Sequence, residues 1–186
     1  MNKKNPERNC RRNGGWFSGW VIGISLSLIA AGFLMLGGCG GYSSESLFPE
    51  KVNSVYVEMF DNKSFRRGVE YELTDALAKR IEAVTPYKII SSREQADTVL
   101  SGQIASVGES VVSYERQTGR AIEKQVELRA VVSWKNLKTG EVLIDNKTVS
   151  ASASYSEWQN QGFGYASTLA ANNLAQRIVE LMEKKW

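Results

Sequence analysis

Residues 122–134 read Ile-Glu-Lys-Gln-Val-Glu-Leu-Arg-Ala-Val-Val-Ser-Trp, and they hold the cleanest alternation in the 186-residue chain. Ile122, Val126, Leu128, Ala130, Val132 and Trp134 fall on one side; Glu123, Gln125, Glu127, Arg129 and Ser133 fall on the other. A period of two with one apolar face is a strand of an antiparallel sheet, packed on one side and wet on the other. Lys124, on the apolar side near the turn, is the exception. Thr118-Gly119 before the stretch and Leu137-Lys138-Thr139-Gly140 after it read as hairpin turns. Working outward, Glu141 to Ser154 is the next strand. Asp97 to Val107 is the preceding one, with Leu100, Gly102 and Ile104 on one side. Gly108 reads as a bulge where that strand bends before Glu109 to Gln117.

Further upstream, Val52 to Phe60 (VNSVYVEMF) has the β-branched and aromatic content of a strand, with Val55, Val57 and Met59 on one face. Asp61 to Ser64 turns the chain. From Arg67 to Val84 the period changes, and Val69, Leu73, Ala76, Leu77, Ile81 and Val84 form one helical stripe. Thr85-Pro86 ends it, because proline disfavours a helical residue before it. Tyr87 to Ile90 is a short strand, and Ser92-Arg93-Glu94-Gln95 has the form of a capping box. Tyr155 to Tyr165 is an aromatic loop, and Ala166 to Lys184 is a closing helix with Leu174, Ile178, Leu181 and Met182 inward. The order β-α-β-β-β-β-α predicts an α+β two-layer sandwich, with both helices on one face of a mostly antiparallel sheet.

The N-terminal residues are of another kind. Lys3, Lys4, Arg8, Arg11 and Arg12 precede an apolar run, Trp16 to Leu36, that stops at Leu36-Gly37-Gly38-Cys39. Basic flank, apolar core and small residues at a cleavage point make a secretory signal over residues 1–38. The ending resembles the bacterial lipobox, in which the cysteine becomes the first residue of the mature protein and is lipidated. The alternative is a membrane helix, since about 20 apolar residues span a bilayer. The sharply apolar part, Val21 to Leu36, is 16 residues and is interrupted by Gly23, Ser25, Ser27 and Gly32. Residues 39–50 then form a lipidated cysteine and a Gly/Ser-rich tether, and 51–186 one domain. Glycine rather than aspartate at position 40 resembles the sorting signal for the outer membrane.

Removing residues 1–38 takes away 5 of the 23 Lys+Arg and 1 of the 20 Asp+Glu, leaving 18 against 19. No positive excess remains to neutralise phosphates, so nucleic acid is not expected. Cys10 lies in the removed segment and Cys39 is lipidated, so the core folds without a disulfide. The chain has no histidine, which removes the usual metal ligand and the usual general base. A serine nucleophile would need a lysine base, and no credible Ser-x-x-Lys is present. Neither catalysis, a metal nor a cofactor is expected.

The remaining candidates lie on the surface. Arg116, Arg120 and Lys124 gather at the first hairpin, with Tyr114 among them, and Lys135 and Lys138 at the second. They are either solvated turn charges that keep strand edges apart or a receptor for phosphate groups, which arginine binds in bidentate fashion. Trp158, Phe163 and Tyr165 are likewise either a satellite cluster or a contact patch. A strand of 13 residues spans ~43 Å, whereas an 18-residue helix spans ~27 Å. One end of the hairpin should therefore project beyond the helix layer.

Four stretches carry a family resemblance: 54–62 (SVYVEMFDN), 68–77 (GVEYELTDAL), 96–104 (ADTVLSGQI) and 137–143 (LKTGEVL). Their order and spacing over residues 42–186 resemble the LptE family. The strand-turn-helix opening is also similar to periplasmic domains of the CsgG and TolB-N type, but the Ala-Asp-x-x-Leu-x-Gly stretch and the Thr-Gly-Glu hairpin favour LptE. The resemblance implies a non-enzymatic outer-membrane lipoprotein on the periplasmic side. Such a protein assembles with an LptD-like β-barrel and helps lipopolysaccharide pass to the cell surface.

Overall fold

A computed structural model describes residues 47–49 and 51–183. The signal, Cys39 and the tether up to residue 46 lie outside the described residues, as does the predicted helix end at Lys184. The elements are β1 (Ser54–Val57), β2 (Asp61–Asn62), α1 (Val69–Val84), β3 (Lys88–Ile89), β4 (Thr98–Tyr114), β5 (Ala121–Asn136), β6 (Val142–Tyr155) and α2 (Phe163–Leu181). The sheet runs β3-β1-β4-β5-β6, with β2 also on β4. The two long ladders, β4–β5 and β5–β6, are antiparallel. The short pairings of β1 with β3 and β4, and of β2 with β4, are parallel. The parallel part follows from α1, which carries the chain back across the sheet between β1 and β3. The α+β sandwich stands, its sheet mixed and open.

One face of that sheet is the core. Val126, Leu128, Ala130, Val132 and Trp134 of β5 are buried, joined by Leu100 and Ile104 of β4. Val69, Leu73, Ala76, Leu77 and Ile81 of α1 meet them, as the helical stripe predicts. α2 contributes Leu174 and Ile178, together with Ala166, Ala170, Ala171 and Ala175. These alanines were not expected inward; their small side chains bring the helix close to β5 and β6. Each large apolar side chain so buried contributes about 1.5–3 kcal/mol. The helices also touch directly, Ser167 Oγ donating to Glu72 at 3.1 Å.

Three parity shifts explain where the sequence reading departs from the structure. Val57 pairs with Leu100 and Asp61 with Gln103, four steps on one strand against three on the other. The extra residue flips the faces, so Phe60 is buried and Met59 is 49% exposed. Phe60 replaces Met59 as the inward residue. Its ring lies over Gly102, where a Cβ would come within 2.6 Å of Phe60 Cε1. In β4 the bulge is not at Gly108, which pairs in register with Glu127, but between Ile104 and Ser106. A continuous strand therefore replaces the expected bend, and Val107 and Glu109 take the helix side. At the hairpin end Ser113 pairs with Glu123 and Tyr114 with Ala121. Ile122 is skipped and is 38% exposed rather than inward.

Smaller differences remain. Val84 is exposed, at the last turn of α1. Ser92 makes no side-chain cap, and the expected box is one 3₁₀ turn, Arg93–Gln95. Tyr155 belongs to β6, and α2 begins at Phe163, three residues early. The Thr118-Gly119 and Lys138–Gly140 turns form as read, with φ of 69° at Gly119 and 76° at Gly140, values that suit glycine.

The chain enters the sandwich at the end away from the first hairpin. Phe48 packs edge-on against Tyr87 at 5.8 Å between ring centroids, and Tyr87 against Trp134 at 5.9 Å. Tyr87 donates to Pro49 O at 3.2 Å, and burial pushes its hydroxyl pKa up. Asp97 pins the same end. Its Oδ2 accepts from the Asn53 and Ser54 N–H groups at 3.0 and 3.1 Å, and Lys138 pairs with its other oxygen. That lysine first, then the Asn53 N–H and the Ser54 side chain, hold the buried carboxyl below the usual range against the cost of burial.

Candidate functional site at the hairpin end

β4 outruns the helices. Its 17 residues span ~56 Å at ~3.3 Å each, against ~24 Å for the 16 residues of α1. Beyond Ile104, β4 is exposed at every position but Val107 and Ser113. The projecting end is nevertheless ordered by its turn. The Glu115 N–H donates to Arg120 O at 2.8 Å, the Gly119 N–H to Glu115 O at 2.9 Å, and Thr118 Oγ1 to the Glu115 carboxylate.

At the root of the projection several elements meet on Glu109. Arg66, from the loop between β2 and α1, reaches it at 3.4 Å; Lys124 of β5 lies at 3.9 Å; Tyr155 Oη donates to it at 2.6 Å. Burial, then that hydrogen bond, raises the Tyr155 pKa. Lys124 also binds Glu157, from the 3₁₀ turn after β6, at 2.6 Å. The pair stabilises both charged forms, raising the Lys124 pKa and lowering that of Glu157. Arg66 stacks over Phe163 at 4.2 Å from the ring centroid. Above this root Arg120, Ala121, Lys124, Glu157 and Trp158 line an open cleft of about 560 Å³. The Arg120 guanidinium stands 6.0 Å over the Trp158 ring.

The five cations singled out in the sequence are not one site. Arg116, Arg120 and Lys124 share the projecting end, while Lys135 and Lys138 lie at the other end of β5, ~36 Å from Lys124 to Lys135 by strand rise. Lys138 is engaged with Asp97 and Lys124 with two carboxylates. Arg116 and Arg120 are exposed and make no ion pair among the described residues. The aromatic trio also divides: Phe163 is covered by Arg66, while Trp158 and Tyr165 are exposed. The reading of the sequence missed Glu109 and Arg66. Glu109 was hidden because the extra residue after Ile104 turns it to the helix side, whereas alternation continued from Leu100, Gly102 and Ile104 puts it on the opposite face.

The arrangement offers a cation-tipped prong whose root is tied by ion pairs. Among the described residues no cluster of three or more Cys, Asp or Glu could hold a metal, and no helix is long and apolar enough to cross a membrane.

Comparison with solved structures finds the same fold in the hypothetical protein CT253 from Chlamydia trachomatis, at TM-score 0.50 and 12% identity, over 69% of this chain and 94% of that one. Lipoprotein B from Nitrosomonas europaea matches at TM-score 0.49 and 13% identity, over 75% and 88%. The rare lipoprotein B from Shewanella oneidensis matches at 0.45 and 18%, over 70% and 93%. No curated protein matches in sequence. The family model described as LptE, lipopolysaccharide-assembly, matches residues 52–184, which includes every element from β1 to α2. The chain belongs to the LptE family.

Proposed function

We propose that the protein is an outer-membrane lipoprotein, anchored through Cys39 on the periplasmic side, that assembles with an LptD-like β-barrel and assists lipopolysaccharide transport. The single observation that carries this reading is the family match across the whole sandwich. The geometry supports it in a particular way. The chain enters beside Tyr87 and Trp134, and the turn bearing Arg116 and Arg120 lies ~43 Å away by strand rise. The cationic turn thus lies at the end of the sandwich opposite the one where the described chain begins. Phosphorylated sugar suits that prong, because exposed guanidinium groups pair with phosphate and have no carboxylate to give up.

Co-purification tests the reading. The tagged protein, extracted from membranes, should bring with it one large outer-membrane barrel; isolation as a homo-oligomeric ring would instead favour a scaffold of the CsgG or TolB-N kind. Cys39→Ser tests the anchor. One acyl chain holds marginally and two or more hold stably, so the variant should be an unprocessed precursor or a soluble protein. A variant cleaved after Gly38 and still membrane-bound would refute lipidation.

A further inference from the structure

β4 has neighbours on both sides only as far as Ile104. β1 covers Thr98–Leu100, β2 covers Gln103–Ile104, and the Lys63 N–H donates to Ile104 O at 3.0 Å. Among the described residues, the strand from Ser106 to Tyr114 pairs with β5 alone. On the β1–β2 side, the carbonyls of Leu100 and Ile104 accept bonds from Glu58 and Lys63. Backbone groups alternate along a strand, and the extra residue at the bulge moves the outward set by one. The N–H and C=O groups of Val107, Glu109 and Val111 therefore face a side on which no strand of the described residues lies.

The other long edge of the sheet is covered in part. Asn173 of α2 donates to Ser152 O at 3.0 Å and Arg177 donates to Ser150 O, so helix side chains occupy two outward carbonyls of β6. Further along, β6 bulges between its partners Val132 and Trp134, Asn146 has φ of 42°, and Lys147 follows. Edges are blunted in these ways because an open one pairs with other chains. Ser106–Tyr114 contains no proline and no lysine. Its single charge, Glu109, is drawn inward by Arg66 and Lys124, and its one bulge, at Val112, lies near the far end.

Both ends of this edge carry exposed apolar and cationic groups. Val112 and Tyr114 are exposed at the far end, before Arg116 and Arg120. At the near end Phe65 is wholly exposed, with Lys63 beside it. The loop holding Phe65 is built rather than loose: Asn62 Oδ1 accepts from Ser64 N at 2.8 Å, and Asn62 Nδ2 donates to Arg66 O at 2.7 Å.

We propose that the Ser106–Tyr114 edge of β4 is a strand-addition site that takes an extended segment of another protein, carrying acidic residues toward its two ends. Strand addition supplies main-chain hydrogen bonds, and the flanking cations select the partner. Charge argues against a second copy. Antiparallel pairing of two such edges would set Lys63 of one chain against Arg116 and Arg120 of the other, and like charges across strands repel. The site rests on the backbone and not on the transport role proposed above, and its test needs neither lipopolysaccharide nor a barrel.

The probe is a nine-residue peptide of alternating valine and threonine with glutamate at each end, mixed with the full chain purified in detergent. Hydrogen exchange at Val107, Glu109 and Val111 should slow at least tenfold on peptide binding. The same peptide, N-methylated along the edge that faces β4, should bind at least tenfold more weakly to the parent. Val111→Pro removes one outward N–H and should weaken the unmodified peptide similarly; should that variant not fold, the three amides of the parent decide alone. Unchanged exchange at those amides, or equal binding of the methylated peptide, overturns the site. So does a concentration-dependent dimer of the parent in which the same amides are protected, since that makes a second copy the occupant.

Discussion

Lys124 Nζ lies 2.6 Å from Glu157 Oε1, so the cation nearest the root of the prong already has its anion. An incoming phosphate has to displace that carboxylate, whereas Arg116 and Arg120 have no ion pair among the described residues to break. Lys124→Ala should therefore weaken binding of a phosphorylated glycolipid less than Arg120→Ala does. Glu157→Gln, which leaves Lys124 only its longer pair with Glu109, should tighten binding a few-fold at low salt. Titration of the three variants against the parent checks the order, and a Lys124→Ala loss as large as that of Arg120→Ala would reverse it.

Acid should loosen the opposite end first. The Asp97 carboxyl is held below its ordinary value of 3.8, chiefly by Lys138. The folded state thus binds this proton less readily than the unfolded one. The resulting stability is present above the ordinary value and is lost as pH falls through the folded one. Lys138→Ala removes the largest cause, so its acid-unfolding midpoint should move to higher pH than that of the parent. Asp97→Ala leaves the Asn53 and Ser54 N–H groups without their acceptor, at a cost of about 1–3 kcal/mol at neutral pH. Circular dichroism across pH 2–7 checks both.

Gly102→Ala should be costly although it adds a single methyl group. The new Cβ would meet the Phe60 ring and the Val131 carbonyl at once, and overpacking of this kind costs about 1–3 kcal/mol. Pairing it with Phe60→Leu should recover part of the loss in a thermal melt. A melt of Gly102→Ala that coincides with the parent would mean the ring does not sit there.

Leu77 and Val84 separate what was legible in the sequence from what was not. Both lie on the predicted stripe of α1, but Leu77 is fully buried and Val84 is exposed. Leu77→Ala should cost about 2–5 kcal/mol and Val84→Ala close to nothing, as denaturant unfolding would show. Periodicity found the face of α1, the alternation of β5 and both glycine turns, because each is written in consecutive residues. It failed at Met59, Gly108 and Ile122, because a bulge is set by the neighbouring strand and one inserted residue inverts every later side chain. The cluster around Glu109 was hidden for the same reason: Arg66, Glu109, Lys124 and Glu157 come from four separate segments. Arg116 and Arg120 were visible as charges, but nothing in the sequence showed that Lys124 and Lys138 are already paired.

The central claim is that the turn between β4 and β5 meets an anionic sugar, and charge reversal there tests it most directly. Arg116→Glu with Arg120→Glu leaves the core residues untouched, so the circular dichroism spectrum and melting temperature should match the parent. Binding of lipopolysaccharide at low salt should fall at least tenfold, and the difference from the parent should shrink at high salt, where exposed charges are screened. If the double variant binds lipopolysaccharide at low salt as tightly as the parent does, the prong is a solvated turn and the claim is wrong.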